Sequence, residues 1–446
     1  YTSGSTGKPK GIAVGQQSVV NLLAGLKRTQ QIQEGWKFVF NGSISFDAAV
    51  KQIFLPLAVG SSLHLTEAVS NAKTLVNYLK KEEINVLHAT PMFWGEIVRE
   101  MREQGPVKTL RVASAGGDQL TKDLVDALLE VTQEQDCALF NTYGPTEICV
   151  NALCYPVSGP VPELPPIGKP LPNYASYVLD GQLQPVPIGV TGELCIGGAG
   201  LARGYLNQVE LTADKFVENP YNPGGRLYRT GDLARWLPDG NLEFLGRKDR
   251  QVKLRGYRIE LGEIENRLQQ HPAIDKAAVV VHQQQGDPPQ SRLTAYYTAS
   301  AELGPDEIIN FLGNKLPLYM MPSCFVPLAR FPLTTSGKID LRALPLPPAE
   351  ARKEEELNFV NDSEKAILQI VKEILESDKI GVDENIFNAG GNSMGIIRIY
   401  KRINELYPCA IEPYHIFANP SARKIAVLIR QAADTPQTKT VTDVEL

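Results

Sequence analysis

At 446 residues, with 43% hydrophobic and 21% charged side chains, the chain has material for two to four packed domains. A net charge of -5 provides no basic field to neutralise a phosphate backbone, which argues against nucleic acid as a partner. The longest apolar run, around residues 53–59, is far too short to cross a bilayer, so no membrane partner is expected. The six cysteines show no CxxC pairing and, with five scattered histidines, no zinc spacing, which fits reduced thiols in a cytoplasmic protein.

The chain opens on Thr2, Ser3, Gly4, Ser5, Thr6, Gly7 and Lys8, followed by Pro9, Lys10 and Gly11. Glycines let the backbone turn its N–H groups toward an anion, hydroxyls donate further, and lysines add charge, so this stretch reads as a polyphosphate cradle. It is not a Walker A loop, because Gly4 and Gly7 stand too close together. Since the chain starts inside this loop without an initiator methionine, it reads as a fragment lacking its N-terminal part.

From about residue 19 to 129, apolar runs alternate with helical stretches. Residues 36–40 and 62–65 read as strands, and 74–81 and 120–131 as helices, which implies a mainly parallel sheet covered by helices. Loops beyond the strand ends, at 1–11, 113–118 and 141–147, are the candidate site loops. The loop of Asn141, Thr142, Tyr143, Gly144, Pro145, Thr146 and Glu147 offers an aromatic face for a purine and a carboxylate for Mg2+. The same residues also fit a plain turn with a helix start.

A proline-rich passage at 156–187 breaks the rhythm, and the glycine-rich segment at 192–205 suits short antiparallel strands with structural glycines. Tyr228, Arg229, Thr230, Gly231 and Asp232 put a carboxylate after a glycine turn, suited to the two hydroxyls of a ribose. A dense mix of both charge signs follows at 246–265, including Arg247 and Asp249, with a helix start at Gly262 and Glu263. After a compact α/β piece comes a turn at 334–340 bearing Lys338, an ammonium suited to neutralise a carboxylate and an α-phosphate together. Prolines at 345–348 and charges at 350–356 form a linker. The last part is a small helical bundle whose apolar residues, such as Ile367, Ile370, Ile396, Ile399, Ile403 and Ile425, fall on single faces. Asn419 and Pro420 read as cap and first turn of its final helix.

These motifs, in this order, resemble the adenylate-forming enzymes, and the terminal bundle with Gly390, Gly391, Asn392 and Ser393 resembles a peptidyl carrier. Together they resemble a nonribosomal peptide synthetase module over nearly the whole chain. The resemblance implies an α/β adenylate-forming fold, with a large α/β lobe at 1–248 (N-terminally incomplete) and a small α+β C-terminal lobe at 249–346. It further implies a linker at 347–360, an all-α four-helix carrier bundle at 361–432 and a disordered tail at 433–446.

By the same resemblance, residues 2–8, Asn141, Tyr143, Thr146, Asp232 and Arg247 bind ATP, Glu147 holds Mg2+, Asp249 is the hinge and Lys338 is catalytic. Asp47 pairs with an amino acid's α-ammonium. Ala48, Lys51, His88, Ala113, Ala115, Thr142, Val150 and Asn151 line the side-chain pocket, whose polarity suits an acidic or amide side chain. Ser393 carries 4'-phosphopantetheine, although Asn392 and Ala389 depart from the usual Asp and Leu. The implied function is amino-acid adenylation and thioester loading, with a phosphopantetheinyl transferase and neighbouring condensation or releasing domains as partners. Two rival readings are a carrier-fused acyl or aryl acid ligase, and an inactive fragment that serves only as a carrier.

Overall fold

The structure, a computed structural model, describes residues 1, 10–66, 71–133, 135–249, 251–254, 257–284, 290–301, 303–313, 315–333, 339–347, 362–375, 380–384, 386, 393–408, 411 and 413–434. The chain forms two compact units, Tyr1–Glu260 and Leu261–Leu446. Asp249 and the antiparallel hairpin of Gln251–Leu254 and Tyr257–Glu260 fall in the first unit, and the carrier helices share the second with the piece that precedes them.

The first unit is built on a seven-stranded sheet in the order Ser62–Leu65, Lys37–Phe40, Val86–Ala89, Val112–Gly116, Ala138–Tyr143, Leu153–Val157, Lys169–Pro170. The first five strands run parallel, and the last two add antiparallel. Helices Gln16–Thr29 and Ala48–Ala58 cover one face with Leu22, Leu26 and Leu55. Helices Ala72–Lys81, Pro91–Gln104 and Lys122–Thr132 cover the other with Leu75, Trp94 and Leu128. Buried on both faces, the inner strands start apolar, as Val86, Leu87 and Val112, Ala113 show, and carry buried polar residues toward their carboxyl ends, at His88, Ser114 and Thr142.

The helices start where sequence chemistry allows. Asn71, Thr90 and Thr121 each accept a backbone N–H from the first turn that follows, and Pro91 occupies the first turn after Thr90. Strand order reverses at Lys37–Phe40, which lies between Ser62–Leu65 and Val86–Ala89. Loops leaving such a reversal diverge and open a crevice at the strand ends. The glycine-rich segment forms a second, antiparallel sheet of Phe216–Glu218, Arg226–Trp236, Gly192–Gly198, Tyr174–Leu179 and Leu242–Arg247. Its register sets Asp232 opposite Arg247.

In the second unit, Ile274–Gln284 and Gln290–Ala299 pair antiparallel, and Cys324–Pro327 joins parallel to the latter. Helix Leu261–Leu268 begins where the sequence predicts. The carrier segment holds helices Asp362–Leu375, Ser393–Leu406, Pro413–Ala418 and Ala422–Asp434, with Ile367, Ile396, Ile399, Ile403 and Ile425 fully buried. Arg423 ties the bundle, reaching Glu364 at 3.7 Å and Asp383 at 2.5 Å. One expectation is corrected here. Ser421, not Asn419, caps the final helix by accepting from the Lys424 N–H, whereas the Asn419 side chain donates back to the His415 carbonyl and closes the preceding helix.

Candidate active site

The first unit contains a cavity of about 370 Å³ lined by Gly117, Asp118, Asn141, Thr142, Tyr143, Phe244, Arg247, Asp249, Gln251 and Lys253, among others. Its polar wall is a chain of hydrogen bonds between two sheets. The Tyr143 hydroxyl donates to one Asp232 oxygen and the Arg247 guanidinium to the other. Arg247 also grips Asp249 through two bonds of 2.6 and 2.7 Å and donates to the Thr230 carbonyl at 3.2 Å. Burial, then the charge of Asp232 and its hydrogen bond, push the Tyr143 phenol well above its ordinary range, so it stays a donor. Gly231 at φ +75° makes the turn that aims Asp232, and a Cβ there would stand 2.8 Å from Arg247 Nη2.

Asn141 anchors the floor by donating to the Pro166 carbonyl at 2.8 Å. The Lys253 ammonium lies 4.9 Å from the Tyr143 ring centroid, so a purine stacked on that side would take its place. Gly117, Asp118, Gln251 and Lys253 are cavity residues that were not among the candidate ligands. The candidate loop at 113–118 and the charged run at 246–265 were the signals that pointed to them.

A second group lies under the N-terminus of helix Ala48–Ala58. Asp47 accepts from the Thr146 hydroxyl at 2.5 Å. One turn on, Lys51 is buried and donates to the Asn151 side-chain oxygen at 2.8 Å. Burial lowers its ammonium from 10.5 to about 8, opposed by the nearby charge of Asp47. His88 is buried beside it with neither ring nitrogen hydrogen-bonded, and burial followed by the Lys51 charge holds it well below its ordinary value. It is therefore a neutral imidazole.

The Asn151 partner is presented by an unusual backbone. Cys149 and Val150 are both left-handed, at φ 61° and 69°, and a Cβ on Gly144 would meet the Val150 carbonyl at 2.4 Å. Thr142 lines the cavity and donates to the Ala115 carbonyl at 3.0 Å.

Not every candidate joins these two groups. Parallel register pairs His88 with Ser114, and Ala113 and Ala115 with Leu87 and Ala89. Alternation therefore turns Ala113 and Ala115 to the other face, where both pack in the core around Trp94. On that strand the residue sharing His88's side is Ser114. Ala48 is the first residue of its helix and half-buried. Glu147 is fully buried and accepts the Tyr205 hydroxyl at 2.8 Å. Lys10, at the end of the glycine-rich opening, pairs with Glu260 at 3.5 Å. Residues 2–8 and Lys338 lie outside the described residues, as does the side chain of Ser393, whose backbone begins helix Ser393–Leu406.

Comparison with known proteins bears directly on this arrangement. Residues 1–206 match the family model of AMP-binding enzymes, 263–338 that of the AMP-binding enzyme C-terminal domain, and 365–429 that of the phosphopantetheine attachment site. Bacitracin synthase 1 of Bacillus licheniformis is 42% identical over 443 residues, 97% of this chain and 8% of that protein. Tyrocidine synthase 3 of Brevibacillus parabrevis is 38% identical over 439 residues, 97% of this chain and 7% of its own length. Over nearly its whole length the chain is similar to segments of nonribosomal peptide synthetases.

Among solved structures, holo-PA1221, a synthetase protein containing adenylation and PCP domains bound to a vinylsulfonamide inhibitor, superposes with a TM-score of 0.69. It is 29% identical and covers 96% of this chain and 72% of its own. The chain thus spans less than a tenth of the two curated synthetases and most of a two-domain one. The adenylate-forming fold followed by a helical carrier is the expected architecture. Among the described residues no helix is long and apolar enough to cross a membrane.

Proposed function

We propose that this chain activates an amino acid with ATP and loads it onto its own carrier domain. One observation carries the reading: the segment 141–151 lines both groups described above. Thr142 and Tyr143 face the nucleotide-sized cavity, while Thr146 and Asn151 hold Asp47 and Lys51. An amino acid held at Asp47 and an ATP held at Asp232 would share this one segment, which supports the proximity that in-line attack requires.

The residues fit their assigned ligands. The cavity offers an aromatic ring, a carboxylate and a guanidinium. A magnesium ion keeps several waters and one or two carboxylates, and Glu147 is the buried carboxylate of this loop, with one oxygen accepting from Tyr205. Asp232 accepts the ribose hydroxyls, Arg247 steadies Asp232, and Asp47 takes the α-ammonium. The substrate carboxylate attacks the α-phosphate, the bond to pyrophosphate breaks, and aminoacyl-AMP and pyrophosphate result. Lys338 neutralises the charge that builds on the reacting oxygens. A 4'-phosphopantetheine arm attached at Ser393 would supply a thiol to receive the acyl group as a thioester, with AMP as the leaving group. The hinge at Asp249 separates the two half-reactions.

The side-chain pocket is polar and suits an acidic or amide amino acid. A phosphopantetheinyl transferase and neighbouring condensation or releasing domains are the implied partners, in the cytoplasm. Amino-acid-dependent exchange of pyrophosphate into ATP tests the reading across a full panel. Exchange driven by one amino acid and abolished by Asp47→Ala is expected. Exchange driven only by acids without an amine would return the chain to the acyl ligases.

A further inference from the structure

We propose that Glu193 is a positioning residue of the nucleotide site. It holds from behind the turn that aims Asp232 and the strand end that carries Arg247 and Asp249. The inference rests on the adenylation reading above and adds to it a residue that lies outside the cavity lining.

Glu193 lies buried on strand Gly192–Gly198. An ionised carboxylate in such a place is costly unless it is paired and hydrogen-bonded. Glu193 is both. One oxygen accepts from the Gly231 N–H at 3.3 Å. The other accepts from the Arg229 guanidinium at 2.9 Å and lies 3.7 Å from the Lys248 ammonium. Arg229 and Gly231 belong to strand Arg226–Trp236, and Lys248 directly follows strand Leu242–Arg247. Those two strands supply Asp232 and Arg247 to the polar wall of the cavity, so one side chain grips both.

The register explains why a side chain is needed there. Cys195 pairs with Arg229 and Glu193 with Leu233, so Leu194 alone stands opposite Thr230, Gly231 and Asp232. Three residues in the space of one bulge out of the ladder, and their backbone groups must find partners elsewhere. The Thr230 hydroxyl donates to the Leu194 carbonyl at 2.7 Å and accepts from the Asp232 N–H at 3.0 Å. The Gly231 carbonyl accepts from the Lys248 N–H at 2.8 Å, and the Thr230 carbonyl accepts from Arg247. The Gly231 N–H goes to Glu193. That bond fixes the turn at the residue immediately before Asp232, whose two oxygens meet Tyr143 and Arg247 on the cavity wall. A carboxylate suits the position better than an amide, because Arg229 and Lys248 bring two cations to one oxygen and charge-assisted bonds are the stronger ones.

The test uses Glu193→Gln, which keeps the volume and an acceptor oxygen but removes the charge, and Glu193→Ala, which removes both. Each is read by calorimetric ATP binding without amino acid, by pyrophosphate exchange with ATP and amino acid varied in turn, and by thermal melting. Glu193→Ala is expected to weaken ATP binding and raise KM for ATP by about tenfold, as the loss of a hydrogen bond to a charged group would, with KM for the amino acid within about twofold of wild type. Glu193→Gln should fall between wild type and Glu193→Ala, because its oxygen still takes the Gly231 N–H. A folded Glu193→Ala that binds ATP as tightly as the wild type would overturn the proposal. So would equal changes in both KM values, or a lowered melting temperature with both KM values unchanged, since either marks a purely structural residue. If Glu193→Ala fails to fold, Glu193→Gln decides by the same readings, and if neither folds the proposal falls. A wild type that binds ATP but exchanges with no amino acid would overturn the adenylation reading, while the calorimetric comparison still judges Glu193.

Discussion

Two buried charges organise the site, and each has a measurable cost. The Lys51 ammonium titrates near 8 instead of 10.5 because burial disfavours its charged form. Between those values the unfolded chain holds the proton and the folded chain does not. Stability from this group therefore rises with pH across that window, and below pH 8 the charged lysine burdens the fold. The difference is worth about 3 kcal/mol. Lys51→Met removes the charge but leaves Asn151 without its donor, so a net gain of about 1–2 kcal/mol is expected in urea unfolding at pH 7. A loss of stability would show that the Lys51–Asn151 bond outweighs the cost of the buried charge. Asp232 is the opposite case, a carboxylate that satisfies Tyr143 and Arg247 at once. Asp232→Ala leaves the buried Tyr143 hydroxyl without this acceptor and Arg247 held by Asp249 and the Thr230 carbonyl. It should cost about 1–3 kcal/mol, with KM for ATP rising more than KM for the amino acid. Equal changes in both KM values would remove Asp232 from the nucleotide site.

Among the elements, the parallel sheet was readable in advance because apolar runs of strand length alternate with amphipathic helices, and nothing else satisfies both periods. The sides of its strands were less readable. A shift of a single residue turns a side chain to the opposite face, and only the register with Val86–Ala89 tells Ala113 from Ser114. The Lys51–Asn151 bond joins residues a hundred positions apart, so no local pattern announces it. The bend that makes it possible is local, however, and can be tested. A Cβ on Gly144 would meet Val150 O at 2.4 Å and Asn151 Cα at 2.7 Å, backbone atoms that cannot swing aside. Gly144→Ala should therefore cost roughly 1–3 kcal/mol and weaken both substrates, since the segment serves both groups. A variant of wild-type stability would mean that the left-handed pair at Cys149 and Val150 relaxes freely. At the start of the final helix, composition points to Asn419 as the cap, and only the fold shows that Asn419 is committed to the preceding helix while Ser421 accepts from the new one.

At the scale of the molecule, the order of motifs was legible because adenylation and carrier segments are each spelled out by several residues in sequence. The division into units was not, since it depends on which contacts the hairpin Gln251–Leu254 and Tyr257–Glu260 makes after folding. The carrier bundle depends on a polar tie as well as on its isoleucines. Arg423 joins the last helix to Glu364 on the first and to Asp383 on the loop between, so Arg423→Ala should lower the melting temperature of the second unit. A bundle of unchanged melting temperature would show that the apolar core suffices.

The central claim is that one chain both activates an amino acid and receives it. Intact-protein mass spectrometry tests this most directly, on protein primed with phosphopantetheine and incubated with ATP, magnesium and the amino acids that drive exchange. The account predicts a single further mass gain equal to one aminoacyl group, lost in Ser393→Ala and in Asp47→Ala, and absent without ATP. A primed protein that exchanges pyrophosphate with these amino acids but never gains that mass would contradict it.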